Sequence, residues 1–278
     1  MNFYAVKGVI FILNFIKMHA AGNDYLYFDC LNSEIKEPER VAKALCPRRF
    51  SVGADGIVLI EQSKIADAKM RIFNADGSEA KMCGNAARCV GRLLYESGFV
   101  KKSRIRLETL SGVRNIYITV RDGAVGVISA DMGMVKAVGE PYFLCAKGEK
   151  YEMRAFDVGN LHQVGAVVDV DALPLDEIGR AVEETNLFED GVNTEFYEVV
   201  GKNCIKARVF ERGSGETLSC GTGACAVSLA AILRGDCDGN KPVRVLMRGG
   251  ELTVSLDENM RAYLTGATQK VFEGTVDM

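Results

Sequence analysis

The chain has no strong excess of either charge, since 34 basic and 37 acidic side chains give a formal net charge of −3 over 278 residues. Nucleic-acid partners are bound through basic surfaces, so nucleic acid is not an expected partner. No stretch approaches the ~20 apolar residues of a membrane span, so a membrane partner is not expected either. Only two histidines are present, at 19 and 162, and this distant pair offers no metal-binding spacing.

The nine cysteines also lack a familiar pattern, because no two of them form a Cys-x-x-Cys motif. Neither a zinc site nor a disulfide framework is therefore predicted. A reducing cytoplasm is the natural setting for such a chain. The overall composition, 48% hydrophobic and 26% charged, is typical of globular proteins with one large or two medium domains.

Residues 1–15 contain a short apolar run that loosely imitates a signal peptide. Cleavage after Ala21 would leave Asn23 at a frayed terminus, although Asn23 is a candidate site residue. We therefore favour a short edge strand, or an upstream extension from a misplaced start, for this segment.

Two stretches of the chain nearly repeat each other, residues 71–85 and residues 208–222. Each ends in a Cys-Gly-polar triplet, at Cys83 and at Cys220, and each triplet opens an apolar, Ala-rich segment. Both cysteines are therefore predicted to lie at helix N-termini, where the helix stabilises a thiolate and binds anions. Two such cysteines related by internal symmetry predict one site with a thiol on each of two faces.

The two cysteines are 137 positions apart (220 − 83), and the same offset gives further identities along the chain. Two copies of one domain, each supplying half of a site, are the simplest interpretation. Asn74 falls at the repeat position of Glu211, and Gly56 at that of Asn193. The identical pairs are Gly22-Asn23 with Gly159-Asn160, Arg71 with Arg208, Phe73 with Phe210, Glu79 with Glu216, Ala87 with Ala224, and Gly112 with Gly249.

Hydrophobic periodicity and turn residues predict more strand than helix, with hairpins outnumbering crossovers. The fold class predicted is α+β, with two pseudo-symmetric domains, each a mixed or antiparallel sheet wrapped around a central helix. The boundary is expected near Asp131, so residues 1–130 carry Cys83 and residues 131–266 carry Cys220. Helices are predicted over 39–46, 83–97, 176–187 and 220–234, and strands over 56–62, 68–74, within 105–130, and at 194–200, 204–210, 243–247 and 251–256.

A pair of opposed thiols suits the movement of a proton from one side of a carbon to the other. A thiolate on one face would remove an α-proton and a thiol on the other would deliver one, while helix amides stabilise the charge on a substrate carboxylate. His162 is a candidate for tuning a thiol. Arg212 is a candidate for binding a second carboxylate, and Glu211 is a candidate for binding an ammonium group. Asn23, Asn74, Asn160 and Asn193 are uncharged groups able to hydrogen-bond a zwitterion.

These residues make the chain resemble the diaminopimelate epimerase family, whose members interconvert LL- and meso-diaminopimelate for lysine and cell-wall synthesis. The resemblance covers about residue 14 to the end. The most specific matching segments are the two cysteine motifs, together with residues 18–24, 53–56, 159–162 and 271–274.

The resemblance implies an enzyme without cofactor or metal, in which Cys83 and Cys220 are the acid/base pair and His162 and Glu211 modulate their pKa values. It also implies that the C-terminal segment, residues 267–278, returns to the first domain, and that the protein is a cytoplasmic homodimer with Phe272 at the dimer contact. The substrate contacts implied are Asn23, Asn74, Gly84, Asn85, Asn160, Asn193, Glu211, Arg212, Gly221 and Thr222.

Four other functions remain open at this point. Proline and hydroxyproline racemases share the fold and the two cysteines, but their substrates would leave Arg212 without a role. Phenazine-type isomerases lack the cysteine pair. A thiol redox protein would join Cys83 to Cys220, although no resolving Cys-x-x-Cys motif supports this. A binding protein for diaminopimelate would leave both Cys-Gly motifs unexplained.

Overall fold

The computed structural model describes residues 12–185 and 187–278. Of residues 1–15, for which an edge strand or an upstream extension was predicted, residues 1–11 lie outside the described ranges and residues 12–15 begin a strand. The described residues form eighteen strands and four helices. Within these ranges, no helix is both long and apolar enough to cross a membrane.

The first part of the chain contains two helices and eight strands. These are β1 (Ile12–Ala20), β2 (Asn23–Cys30), α1 (Pro38–Leu45), β3 (Gly56–Glu61), β4 (Ala68–Asn74), β5 (Glu79–Ala80), α2 (Gly84–Glu96), β6 (Arg104–Thr109), β7 (Gly112–Arg121) and β8 (Ala124–Met134).

The second part has the same order of elements as the first, with one strand added before them and one added after them. The elements of this part are β9 (Lys136–Ala146), β10 (Glu149–Asp157), β11 (Leu161–Ala166), α3 (Leu175–Thr185), β12 (Asn193–Gly201), β13 (Cys204–Glu211), β14 (Gly215–Thr217), α4 (Gly221–Arg234), β15 (Val243–Met247), β16 (Gly250–Leu256), β17 (Arg261–Gly266) and β18 (Gln269–Asp277). The shared order runs from β10 to β17, and the added strands are β9 and β18.

Strand pairing arranges these elements as two equivalent runs of strands that meet at β8 and β17. The first run is β18-β1-β2-β3-β4-β6-β7-β8. The second is β9-β10-β11-β12-β13-β15-β16-β17. The two runs join through the antiparallel pair β8–β17, and the short strands β5 and β14 pair with β4 and β13. Only β2–β3, β4–β6, β11–β12 and β13–β15 are parallel among the described pairs, as expected for a mixed, hairpin-rich sheet.

The sequence repeat is also visible in the strand register. Tyr25 pairs with Gly56 between β2 and β3, and His162 pairs with Asn193 between β11 and β12. Both members of the second pair lie 137 positions after the first pair. The internal symmetry inferred from the cysteine motifs therefore extends to the residues that face each other across neighbouring strands.

One of the sequence matches is shifted by a residue. The β6–β7 hairpin pairs Thr109 with Gly112, and its counterpart pairs Met247 with Gly250. The offset is therefore 138 here, because the second copy has gained one residue after α4. The structural equivalent of Gly112 is Gly250, and the predicted match with Gly249 is wrong.

Each run of strands wraps around one helix. α2 packs on β1, β2, β7 and β8, and α4 packs on β10 to β13 and β15 to β17. α4 is apolar over most of its circumference, as a central helix should be, and it ends at Gly235 in the left-handed conformation with φ of +85°. The smaller helices α1 and α3 pack on the outer faces, against β3 and β4 and against β13 and β14. Both central helices contribute to one shared apolar core.

The chain passes between the two runs at two places. β8 continues through Asp131 to Met134, so the predicted boundary near Asp131 falls within a strand, and β9 begins at Lys136. After β17 the chain returns, and β18 pairs with β1 from Ile12 to His19. The division into residues 1–130 with 267–278 and residues 131–266 stays a prediction.

Candidate active site

Each of the two repeat-related cysteines is the N-cap of a central helix. Cys83 has extended backbone angles, and its Sγ accepts a hydrogen bond from Ala86 N–H at 3.5 Å. Cys220 has the same geometry, and its Sγ accepts from Gly223 N–H at 3.4 Å. An N-cap side chain that accepts from the third helical amide is the usual arrangement for a helix start. Both sulfurs therefore lie in the positive field of a helix N-terminus.

The first residues of the two helices, Gly84 and Gly221, lie against each other. A Cβ atom built on Gly221 would lie 3.9 Å from the Cα of Gly84 and 2.8 Å from a methyl group of Leu264. A Cβ atom on Gly84 would lie 2.6 Å from the sulfur of Met132. Glycine at both positions therefore permits this close approach, which brings two helix N-termini, and the thiols that cap them, to one place.

Burial raises the pKa of both thiols above the ordinary cysteine value. For Cys83, the backbone amides at the helix start and the Tyr25 hydroxyl oppose this effect by hydrogen bonding. For Cys220, the carboxylates of Glu211 and Glu195 add to the effect of burial and raise the pKa further. Glu211 raises the pKa of both thiols, so this one carboxylate lies within electrostatic range of each.

We predict that Glu211→Gln lowers the pKa of both thiols, because it removes a negative charge that disfavours both thiolates. Alkylation by iodoacetamide should then become fast at lower pH than in the wild type. Peptide mass spectrometry can follow Cys83 and Cys220 separately. The exposed Glu251, paired with Arg244, provides the matched control Glu251→Gln, which should change neither profile. Unchanged profiles for both thiols in Glu211→Gln would contradict the assignment.

Asn23 connects the first thiol to a carboxylate. The Cys83 thiol donates to Asn23 Oδ1 at 3.4 Å, and Asn23 Nδ2 donates to Asp55 at 2.9 Å. The Asp55 carboxylate also accepts from the backbone N–H of Asp24 at 3.0 Å. The predicted site residue Asn23 is thus in contact with one of the two predicted acid/base cysteines.

His162 is completely buried and does not hydrogen-bond either thiol in the described structure. Its Nδ1 lies 2.6 Å from Oε1 of Glu195, which is also completely buried, and its Nε2 lies 3.1 Å from Asn160 Oδ1. The Glu195 carboxylate packs under the first turn of α4, where a Cβ atom on Gly223 would lie 2.7 Å from it. His162 is therefore connected to Cys220 through Glu195 and the helix start.

The side chains of Asn74 and Asn85 are hydrogen-bonded to other side chains of the protein. Asn74 ends β4 and donates from Nδ2 to Ser78 at 3.0 Å. The side chain of Asn85 is buried, accepts from Arg88 at 2.7 Å and donates to Ser219 at 3.3 Å. The Asn85 side chain therefore links the two halves of the molecule, and its backbone amide is the group that faces Cys83.

The residues predicted to recognise the distal end of a substrate lie at the end of β13. Glu211 is the last residue of that strand and accepts from Thr217 at 2.6 Å, and Arg212 begins the turn before β14. Both residues therefore belong to the β13–β14 hairpin that precedes α4. Asn193 Oδ1 accepts from the Arg212 backbone N–H at 2.9 Å, and the exposed Arg212 guanidinium donates to the carbonyl of Asp190.

The remaining predicted residues lie in different places. The hydroxyl of Thr222 is 3.3 Å from the Cys220 sulfur, so it belongs to the site. Phe272 lies on β18, where its ring packs edge-on against Phe15 with centroids 5.8 Å apart and remains 43% exposed. A dimer contact at Phe272 stays a prediction.

Sequence reasoning did not identify three residues that contact the site. Tyr25 could have been found with the repeat, because it is the counterpart of His162 at the offset of 137. Glu195 follows Asn193 by two positions, so both side chains lie on the same face of β12. Asp55 lies within the matching segment 53–56, but nothing in the sequence indicated its role, since that role depends on a hydrogen bond to Asn23.

Solved structures with this architecture define the fold class. A probable proline racemase from Agrobacterium radiobacter K84 superposes with a TM-score of 0.76 at 18% identity, over 95% of this chain and 92% of that one. A hydroxyproline epimerase from Agrobacterium vitis gives 0.75 at 16% identity, over 96% and 93%. A phenazine biosynthesis protein of the PhzF family from Bacillus anthracis gives 0.74 at 19%, over 96% and 99%. At these identities the likeness shows the fold alone, and it confirms the predicted class.

Sequence comparison identifies the particular family. The family profile described as diaminopimelate epimerase matches residues 15–138 and 154–271. The diaminopimelate epimerase of Acetivibrio thermocellus is 43% identical, over 96% of this chain and 99% of the relative. That of Methanococcus maripaludis strain S2 is 42% identical, over 96% and 100%. The chain belongs to the diaminopimelate epimerase family, and the resemblance seen in its motifs is confirmed.

Proposed function

We propose that this protein interconverts LL- and meso-diaminopimelate without a cofactor, with Cys83 and Cys220 on opposite faces of the reacting carbon. Membership of the family makes the chain an isomerase, an epimerase of diaminopimelate in lysine and peptidoglycan precursor synthesis. The observation that carries the mechanism is the contact between two cysteine-capped helix starts.

In the proposed reaction, the thiolate of one cysteine takes the α-proton, and the electron pair of the broken C–H bond stays on the substrate. The thiol of the other cysteine then donates its proton to the opposite face, so one proton is lost and one gained. Amides at both helix starts stabilise the negative charge that develops on the substrate carboxylate. A raised thiol pKa makes the thiolate a stronger base toward a weakly acidic C–H bond.

The remaining polar groups are proposed to recognise the rest of the substrate. Arg212 would bind the second carboxylate through its guanidinium, and Glu211 would accept from an ammonium group. The other proposed contacts are Asn23, Asn74, Gly84, Asn85, Asn160, Asn193, Gly221 and Thr222.

The reaction is tested by exchange of solvent deuterium into the α-carbon of LL-diaminopimelate, catalysed by reduced enzyme free of pyridoxal phosphate. A binding protein would catalyse no exchange, and a thiol redox protein would require an oxidant. A proline racemase would exchange proline in preference to diaminopimelate.

We predict that Arg212→Ala lowers kcat/KM for diaminopimelate by roughly 10²-fold, because a hydrogen-bonded ion pair to a carboxylate contributes about 1.5–3 kcal/mol. Its exposed position implies a change in the free energy of unfolding within about 0.5 kcal/mol. Steady-state kinetics and urea denaturation measure the two effects. Arg180→Ala, at an exposed arginine of α3, is the control and should change neither. An unchanged kcat/KM in Arg212→Ala would show that Arg212 does not bind the second carboxylate of the substrate.

We further propose that the enzyme is a cytoplasmic homodimer. The free state of all nine thiols supports a reducing compartment. The partly exposed Phe272 and its exposed neighbour Val271, on the edge strand β18, support an interface there. Sedimentation velocity measures the oligomeric state directly.

A further inference from the structure

The two halves of the site hold their repeat-related asparagines in opposite orientations. Asn23 and Asn160 follow matching glycines at the offset of 137, so the fold presents both to the site in equivalent positions. Their hydrogen-bond partners nevertheless differ in chemical character. An amide side chain has one accepting and one donating end, so its partner on one side decides what the other side offers.

The orientation of Asn23 is set by Asp55. An ionised carboxylate accepts hydrogen bonds and donates none, so Asn23 must direct its Nδ2 group to Asp55, at 2.9 Å. Its oxygen then faces the Cys83 thiol, which donates to it at 3.4 Å. In this half of the site, the asparagine offers an acceptor.

The orientation of Asn160 is set by the buried pair of His162 and Glu195. Asn160 Oδ1 lies 3.1 Å from His162 Nε2 and can only accept, so Nε2 must carry a proton. Two proton arrangements meet this condition. Either a Glu195 carboxylate accepts from Nδ1–H of an imidazolium, or a Glu195 carboxyl group donates to Nδ1 of a neutral ring. Both arrangements keep the proton on Nε2.

The charged groups around this pair are few. Glu211 approaches Glu195 from β13, and Cys220 approaches it from the start of α4. The second carboxylate oxygen of Glu195 has no hydrogen-bond partner in the described structure. The side-chain hydrogen bond of Glu195 in the described structure is therefore the one between its Oε1 and His162 Nδ1.

The first half of the molecule shows that the fold does not need this pair. At the same offset, Val58 stands at the position of Glu195 and Tyr25 at the position of His162, and Val58 is completely buried. The strand β3 therefore folds with an apolar side chain at the equivalent position. Because the sheet does not need a buried acid at this position, we infer that Glu195 has a role other than stabilising the sheet.

We propose that Glu195, acting through His162, and Asp55 are positioning residues that orient the two asparagines in opposite senses. Asn23 then offers its oxygen beside Cys83, and Asn160 offers its NH2 group to an anionic group of the substrate on the Cys220 side. No described hydrogen bond uses Nδ2 of Asn160, which lies on an exposed residue. This inference rests on the proposed function, because it assigns the asparagines to that substrate.

The test compares Glu195→Val, which copies the first half, with Glu195→Gln, whose amide can still donate to His162 Nδ1. NMR of ligand-free protein labelled with ¹⁵N-histidine reports the proton on Nε2. Only two histidines are present, and His19 is the internal reference. We expect Nε2–H in the wild type and in Glu195→Gln, with KM for diaminopimelate unchanged within threefold. In Glu195→Val we expect the proton to be lost from Nε2 in part and KM to rise about tenfold to a hundredfold.

Three outcomes would overturn the inference. One is an unprotonated Nε2 in the wild-type protein, and this measurement does not depend on whether any variant folds. Another is Glu195→Val with an unchanged histidine spectrum and unchanged KM. The third is equal damage in Glu195→Gln and Glu195→Val, because the charge rather than the hydrogen bond would then matter. Glu198→Gln, on the same strand, is the control and should leave the His162 signals unchanged. The spectra of ligand-free protein do not depend on turnover. A failure of the two-thiol mechanism can therefore be distinguished from a failure of this inference.

Discussion

Cys83→Ala and Cys220→Ala are each expected to abolish epimerisation, with a loss of at least about 10³-fold in kcat. General acid–base catalysis by a positioned group contributes roughly 10²–10⁴-fold, and the reaction needs both a base and an acid on opposite faces. Alanine at either position leaves one face without a proton carrier. The measurement is formation of meso-diaminopimelate from the LL isomer, together with deuterium incorporation at the α-carbon.

Each variant has a matched control on its own helix. Cys89 in α2 and Cys225 in α4 are completely buried in the shared core and do not cap a helix. Cys89→Ala and Cys225→Ala should lower stability slightly and leave turnover near normal. Near-normal turnover in either Cys83→Ala or Cys220→Ala would mean that the two-thiol mechanism is wrong.

Most of the central architecture could be predicted from the sequence, because the signals there are local. Cysteine followed by glycine and an Ala-rich run predicts a capped helix, and α2 and α4 begin one residue after Cys83 and Cys220. Strand β4 was predicted with its bounds, Ala68–Asn74, and so was β15, Val243–Met247. The edge strand β9 was not predicted, because most of its side chains are exposed and the alternation of apolar and polar residues is weak.

The candidate site was predictable where the residue types and their positions indicate the chemistry. Two cysteines at repeat-related helix starts predict the thiol pair. The supporting hydrogen bonds were not predictable, because the partner of an asparagine depends on tertiary contacts. Asp55 reaches Asn23 across neighbouring strands, and Glu195 reaches His162 across another pair. Asn85 stays a predicted substrate contact, but the burial of its side chain, which Arg88 and Ser219 hold in the interior, was not predictable.

The second large effect is expected at Gly249, where the first hairpin touches the second half of the molecule. A Cβ atom on Gly249 would lie 1.9 Å from the carbonyl oxygen of Ala21, a contact that no side chain tolerates. The same carbonyl accepts from the hydroxyl of Ser219 at 2.7 Å, and Gly249 N–H donates to the carbonyl of Leu218 at 2.8 Å. Gly249→Ala must therefore move the turn at Ala21, which lies two residues before Asn23.

Because Asn23 contacts Cys83, displacement of this turn should misplace a residue of the site as well as strain the fold. We expect Gly249→Ala to lower kcat/KM by about 10²-fold, the cost of an error of roughly 1 Å in positioning. Overpacking should lower the free energy of unfolding by about 1–3 kcal/mol. Gly201→Ala is the control, because its added Cβ would meet only Cys204 at 3.7 Å. Kinetics and denaturation measure both effects, and a folded Gly249→Ala enzyme with normal kcat/KM would show that catalysis does not depend on docking of this hairpin.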